Sequence, residues 1–202
     1  LRGSLRVRST TLATLLLGLF FVVHSLFFSP MVDVSLLKAV SWTLAMSTLV
    51  AAWAGMASEE RQAVVQDLFG GLVLVMLASL PLLPVSVGYL LNGSGFQGVL
   101  NHPQAFGPTM ALLGAWAAGH MLGEKRPSWS QVALAGTCLV MVVLSEARTA
   151  GLALLLGVGF AVLLTPRIAG LSARTVLPGL RSKRTLIVAA LAVIGIVVAG
   201  AK

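Results

Sequence analysis

Apolar residues in this chain come in runs of about the length of a lipid bilayer, separated by short polar groups. A hydrocarbon core about 30 Å thick needs roughly 20 predominantly apolar residues in a helix, with about 17–25 tolerated. Seven stretches meet or approach that requirement: residues 11–28, 34–57, 68–90, 104–122, 130–145, 150–165 and 185–201. Only Ser145-Glu146-Ala147-Arg148-Thr149 separates the fifth from the sixth. Run together as one straight helix, residues 130–165 would reach about 54 Å, so the chain has to turn near Glu146. Pro81 and Pro84 should bend the third span, because each removes a backbone donor and crowds the preceding turn. Gly107, Ala111, Ala115 and Ala118 in the fourth span place small residues at helical spacing, as do Ala153, Gly157 and Ala161 in the sixth. Both stripes predict close helix packing. The expected fold is all-α: a polytopic transmembrane helical bundle of about seven spans, with residues 1–202 as a single integral membrane domain.

Composition agrees. Hydrophobic residues make up 57% of the chain and charged residues 10%, where soluble domains average about 45–50% and about 25%. With a mean hydropathy of +0.97, the solvent is lipid and an ordinary soluble enzyme is excluded. The chain starts at Leu1 and stops at Lys202 just after an apolar run, which reads as a piece of a longer protein.

The net charge of +8 does not point to nucleic acid, because the basic residues sit in short groups between apolar runs and form no continuous face. They define topology instead. With a cytoplasmic N-terminus, the inner segments hold Arg2, Arg6, Arg8, Arg61, Lys125, Arg126, Arg167, Arg174, Arg181, Lys183 and Arg184, and the outer ones only Lys38, Arg148 and Lys202. Eleven against three is a positive-inside bias. It puts the 91–103 loop and the Glu146/Arg148 turn on the same outer face. The 166–184 loop falls on the cytoplasmic side, where its five basic residues meet anionic headgroups.

Little of the usual enzymatic chemistry is available. Cys138 is the single cysteine and lies in an apolar run, and the three histidines are far apart, so neither a disulfide framework nor a metal cluster is expected. His24 and His120, near span ends, read as structural. Gly93-Ser94-Gly95-Phe96-Gln97-Gly98 spells G-x-G-x-x-G, but a dinucleotide site needs a preceding strand, a following helix and an acid about 20 residues on. Residues 112–118 hold no acid, so the segment reads as a flexible outer loop. Asn92-Gly93-Ser94 within it also matches a glycosylation sequon.

Two polar islands carry the candidate chemistry. In the first, Asn101-His102-Pro103-Gln104-Ala105-Phe106-Gly107 opens the fourth span. Pro103 suits the first turn of a helix, which leaves Asn101 and His102 at its mouth beside unpaired backbone donors. Such a cluster can bind an anion, or Asn101 or His102 can simply cap the helix. In the second, Glu146 and Arg148 either neutralise each other in a tight turn, or Arg148 offers its planar fork to a phosphate.

Taken together, the two islands resemble the O-antigen ligase and polymerase family of bacterial membrane proteins. That family carries a His-Pro-Asn or Asn-Pro-Asn motif followed by Gly, then a Ser-x-Ser-Arg motif followed by a small residue. Here Asn101-His102-Pro103-Gln104-Ala105-Phe106-Gly107 and Ser145-Glu146-Ala147-Arg148-Thr149-Ala150-Gly151 stand about 45 residues apart with one span between them; the likeness covers residues 93–164, inside a motif-bearing region at 91–165. Gln104 replaces the commoner Asn, Glu146-Ala147 departs from the pattern before the Arg, and the Arg that often precedes the first motif is missing. The family's large outer loop and later His motif lie beyond this chain.

The resemblance implies a glycosyltransferase of the bacterial inner membrane that takes a glycan from an undecaprenyl-diphosphate carrier and passes it to a lipid or glycan acceptor, without cofactor or metal. Arg148 would hold the diphosphate, with Asn101, His102, Gln104 and Glu146 in the same pocket; the catalytic base is unassigned. Transfer from a lipid diphosphate needs cationic donors for the charge developing on the leaving group. A small-anion transporter, for a bicarbonate-like ion, is the alternative, and a non-catalytic membrane scaffold is the other. The apolar inner halves of the spans disfavour the transporter.

Overall fold

A computed structural model describes residues 2–89 and 95–200. Among them all regular structure is helical: α1 (Arg2–Phe28), α2 (Val32–Gly55), α3 (Ser58–Ser79), α4 (Pro103–Gly123), α5 (Trp129–Leu144), α6 (Arg148–Ala169), the single turn α7 (Ala173–Val176) and α8 (Lys183–Gly200). The all-α expectation holds. Four stretches are long and apolar enough to cross a membrane: Thr10–Phe28, Val32–Gly55, Ser58–Leu82 and Arg148–Ala169. They mark the chain as a membrane protein. The stretches expected as the other three spans form helices α4, α5 and α8, which are not among those four; α5 is apolar but only 16 residues long.

The chain divides into two compact units, residues 1–66 and 67–202. In the first, α1 and α2 form a hairpin whose close approach is set by small residues. A Cβ on Gly18 would lie 2.6 Å from Thr43 Cγ2, so only glycine lets the helices meet there. Phe21 and Trp42 pack edge to face at 5.1 Å, and the Ser29 and Ser35 hydroxyls, 2.6 Å apart, tie the connection. Helix α3 starts at Ser58, ten residues before the expected span. The reason is local: Glu59 and Glu60 favour a first helical turn, and the Glu60 carboxylate accepts the Ala57 N–H at 2.7 Å. Arg61 in that turn donates to the Ala54 carbonyl at 3.2 Å.

In the second unit, α4 is the central element, packed by α5 and α6. Phe106, Met110 and Leu113 of α4, Cys138 and Met141 of α5, and Phe96 are fully buried. Ser128 caps α5 in a reciprocal arrangement with Gln131, which satisfies two otherwise unpaired donors. The expected bend at Pro81 and Pro84 is corrected: α3 ends at Ser79 and gives way to 3-10 turns at Leu80–Leu82 and Ser86–Gly88. With two prolines in four residues, the ladder of backbone donors stops instead of kinking.

The small-residue stripes divide. On α4 the stripe packs: Gly107 and Ala111 are buried, and a Cβ on Gly114 would lie 3.2 Å from Cys138 Cβ. On α6, Ala153, Gly157 and Ala161 are exposed, and the packed face carries Ala150 and Leu154. Small residues permit close approach but do not choose the face, and on α6 Leu154 has more apolar surface to bury than the stripe.

Candidate functional site

The expected turn near Glu146 is present: α5 ends at Leu144 and α6 begins at Arg148. Three segments of the second unit converge on it. The Phe96 N–H donates to the Leu144 carbonyl at 2.7 Å. Gly95, at φ +75°, brings its backbone against Ser145, and an added Cβ there would lie 2.9 Å from the Ser145 carbonyl carbon and 3.3 Å from Pro103 Cβ. Gly107, just inside α4, faces the same turn; a Cβ on it would overlap the Ala147 methyl and sit 2.7 Å from Ser145 Oγ. Thus the start of α4 and the α5–α6 turn, 40 residues apart in sequence, touch through Gly107, Ser145 and Ala147.

Each glycine of the described part of the G-x-G-x-x-G sequence has a structural task. Gly95 (φ +75°) and Gly98 (φ +57°) take left-handed conformations that other residues reach only at a cost. A Cβ on Gly98 would lie 2.7 Å from Phe106 Cε2 and 2.8 Å from Ser79 Cβ. Ser79 Oγ accepts the Val99 N–H at 3.1 Å. Phe96 packs edge to face on Phe106 at 5.2 Å. The segment expected to be a flexible loop is therefore, from Gly95 onward, packed into the core. Gly93, Ser94 and the Asn92 sequon lie outside the described residues.

The candidate residues stand at the exposed surface of this packed junction. Asn101, His102, Gln104, Glu146 and Arg148 are all exposed, while Pro103, Ser145 and Ala147 between them are buried. His102 is the N-cap of α4: its Nδ1 accepts the Gln104 N–H at 3.0 Å. Its carbonyl accepts from the Ala105 and Phe106 N–H groups at 3.1 and 3.0 Å. The donors expected to be unpaired at this mouth are thus taken by His102, and the capping alternative is the one observed. Nδ1 accepts, so the ring's Nε2 is the nitrogen left for other contacts.

At α6 one donor is left over: the Ala150 and Gly151 N–H groups go to the Ala147 carbonyl at 2.9 and 3.1 Å and the Arg148 N–H to the Glu146 carbonyl, which leaves the Thr149 N–H. The N-cap of α6 is Ala147, which has no side chain able to cap, and Arg148 is its first residue. Among the described residues, Glu146 and Arg148 form no ion pair with each other. Their link is through the backbone, Arg148 N–H to the Glu146 carbonyl at 2.9 Å. Glu146 also occupies a left-handed conformation, φ +55°, and is the one non-glycine residue to do so among those described. The position directly follows the C-cap of α5, where glycine is usual. A glutamate held there is strained by about 1–2 kcal/mol. Arg148, unpaired at the start of an uncapped helix, offers a guanidinium fork together with the positive end of a helix dipole, a combination suited to a phosphate or carboxylate.

Two features were not legible beforehand. Ser145 is fully buried, its hydroxyl donating to the Val142 carbonyl at 2.7 Å and accepting from the Ala147 N–H at 3.4 Å. Gln97 is buried too. Its Nε2 donates to the Val87 carbonyl at 3.3 Å while its Oε1 has no partner. Nothing in the spacing of either residue announces burial. Among the described residues no group of three or more His, Cys, Asp or Glu could hold a metal. No family model, curated protein or solved structure matches this chain.

Proposed function

We propose that this chain belongs to a bacterial inner-membrane glycosyltransferase of the O-antigen ligase or polymerase type. In this reading α4, α5 and α8 join the four longer apolar helices to make seven spans, with the N-terminus cytoplasmic. The junction of α4 with the α5–α6 turn then faces outward. Arg148 binds the diphosphate of an undecaprenyl-linked glycan, and Asn101, His102, Gln104 and Glu146 line the same surface. The developing charge on the leaving diphosphate is met by the Arg148 guanidinium and the Thr149 N–H at the positive end of α6.

The observation that carries this reading is the convergence of the two motifs. Gly107 lies against Ser145 and Ala147, so both polar islands belong to one surface. That surface exposes an arginine with no partner in Glu146. A turn needed only to connect two helices has no use for an arginine beside a strained glutamate; a glycine and a neutral cap would do.

The test is glycan transfer from the lipid-diphosphate carrier in membranes containing the complete protein. Arg148→Lys keeps the charge but loses the paired geometry. A charged hydrogen bond contributes about 1.5–3 kcal/mol, so transfer should fall roughly 10- to 100-fold at unchanged protein abundance. Glu146→Gln combined with Arg148→Gln should not restore it. Wild-type transfer by Arg148→Lys, or rescue by the double change, would remove Arg148 from the site; uptake of a small anion with no glycan transfer would favour the transporter.

A further inference from the structure

At the opposite end of the second unit, α4, α5, α6 and α8 enclose an apolar cavity of about 360 Å³. Cavities that hold small ligands run about 300–1,000 Å³. Gly114, Ala118, Leu154, Val158 and Ala189 are among the residues lining it. Ala189 and Val193 are exposed, so the space is open at the α8 side. The lining contains a single polar residue, Thr185. Its hydroxyl is buried and has no hydrogen-bond partner. The hydroxyls of Thr43, Thr48, Thr109 and Ser79 each bond back to the carbonyl four residues earlier, the ordinary way a helix satisfies them. Thr185 is in the first turn of α8, where that solution is lost; the residue lines the cavity, and its hydroxyl is covered and unsatisfied.

The chain around this end is strongly basic. Gly179 packs against the Met121 backbone, its Cβ position 2.9 Å from the Glu124 carbonyl oxygen. Arg184 donates to the Pro127 carbonyl and lies 4.7 Å above the Trp129 ring. Residues 124–131 and 167–184 therefore meet at the start of α8, and together they hold seven basic residues against one acid, Glu124. That acid already accepts from Gln131 Nε2 at 2.7 Å. Arg181 and Lys183 are exposed. From Thr185 to Val193 the cavity follows α8 for about 12 Å at about 1.5 Å per residue, close to the depth of one leaflet of a hydrocarbon core about 30 Å thick.

We propose that this cavity is a site for one acyl chain of an anionic phospholipid. The headgroup lies at the basic start of α8, and the Thr185 hydroxyl donates to the lipid's ester region. Charge complementarity selects the headgroup, the apolar lining selects the chain, and the unsatisfied hydroxyl marks the boundary between them. The site is independent of the glycan-transfer surface and stands whether or not that reading holds.

The experiment is native mass spectrometry of the full chain, released from micelles holding equal amounts of a phosphatidylglycerol and a phosphatidylcholine with the same acyl chains. The wild-type protein should retain one phosphatidylglycerol with at least tenfold preference. A Cβ on Gly159, which lines the cavity, meets nothing within 4 Å. Gly159→Leu therefore starts a side chain at the cavity with no clash at its Cβ and favours the helix, so it should melt no lower than wild type yet lose the retained lipid. Thr185→Val should weaken retention several-fold, and Arg181→Gln with Lys183→Gln should abolish the preference for phosphatidylglycerol while leaving a lipid bound. Equal retention of the two lipids by wild type, or undiminished retention by Gly159→Leu, would overturn the proposal. Displacement of the lipid by one equivalent of a polyprenyl phosphate would overturn it also, by making the cavity a carrier site.

Discussion

Gly107→Ala tests whether the two motifs are truly in contact. The added methyl would overlap the Ala147 methyl and lie 2.7 Å from Ser145 Oγ, and its third neighbour is Ala150 Cβ at 3.5 Å. None of these is the far end of a flexible side chain. Ala147 is the N-cap of α6 and Ser145 the C-cap of α5, so relief requires moving backbone. Overpacking of this kind costs about 1–3 kcal/mol. For a chain of this size each kcal/mol lowers the melting temperature by roughly 2–4 °C, which predicts a fall of about 2–12 °C in detergent. The informative comparison is a cycle with Ala147→Gly. That change alone removes a buried methyl, at about 0.8 kcal/mol, and leaves a residue well suited to an N-cap. Combined with Gly107→Ala, it makes room for the new methyl, so the double variant should be more stable than the sum of the singles by about 1 kcal/mol or more. Additive effects within about 0.5 kcal/mol would mean that the residues do not touch. The junction of α4 with the α5–α6 turn would then be wrong, and the shared surface for Arg148 and His102 with it.

Two further outcomes separate the strain at the turn from its use, and fix the side of the membrane. Glu146→Gly releases the left-handed glutamate and should raise the melting temperature by roughly 2–4 °C per kcal/mol of the relieved strain of about 1–2 kcal/mol, while lowering glycan transfer in the complete protein; unchanged stability would refute the strain, and unchanged transfer would remove Glu146 from the site. A cysteine at Asn101 should label with an impermeant thiol reagent added outside intact cells and one at Ser172 should not; Cys138 can remain in place because it is fully buried, and labelling in the opposite sense would invert the topology.

How much of this was legible beforehand depends on what kind of force sets each feature. The run lengths located the helices because a span is a constraint on composition over about 20 residues, which a sequence displays directly. Residues 130–165 had to break for the same reason, and they break at Glu146. The start of α3 was missed because charged residues in a first turn lower the hydropathy while stabilising the helix. The α6 stripe was misassigned because helical spacing identifies candidate faces, and the partner element decides which face is used. At the site, His102 could be placed at the helix mouth from Pro103 alone, yet whether it capped or stood free depended on a single Nδ1 contact that no pattern encodes.

The left-handed Glu146 follows from the same distinction. A helix C-terminus that must reverse within three residues needs a left-handed position, and glycine fills it at least cost. The chain supplies glycines freely where such turns are purely architectural, at Gly95, Gly98 and Gly170. Among the described residues it departs from that habit at Glu146 alone, two residues before the exposed arginine. Strain retained where a cheaper residue was available argues that the carboxylate is used there, and its proximity to Arg148 without an ion pair argues that the use is not mutual neutralisation. What the two share is a surface on which a cation and an anion stand side by side, both open to a ligand. In the proposed reading, Arg148 on that surface takes the diphosphate, and Glu146 is left to accept hydrogen bonds from the hydroxyls of a sugar.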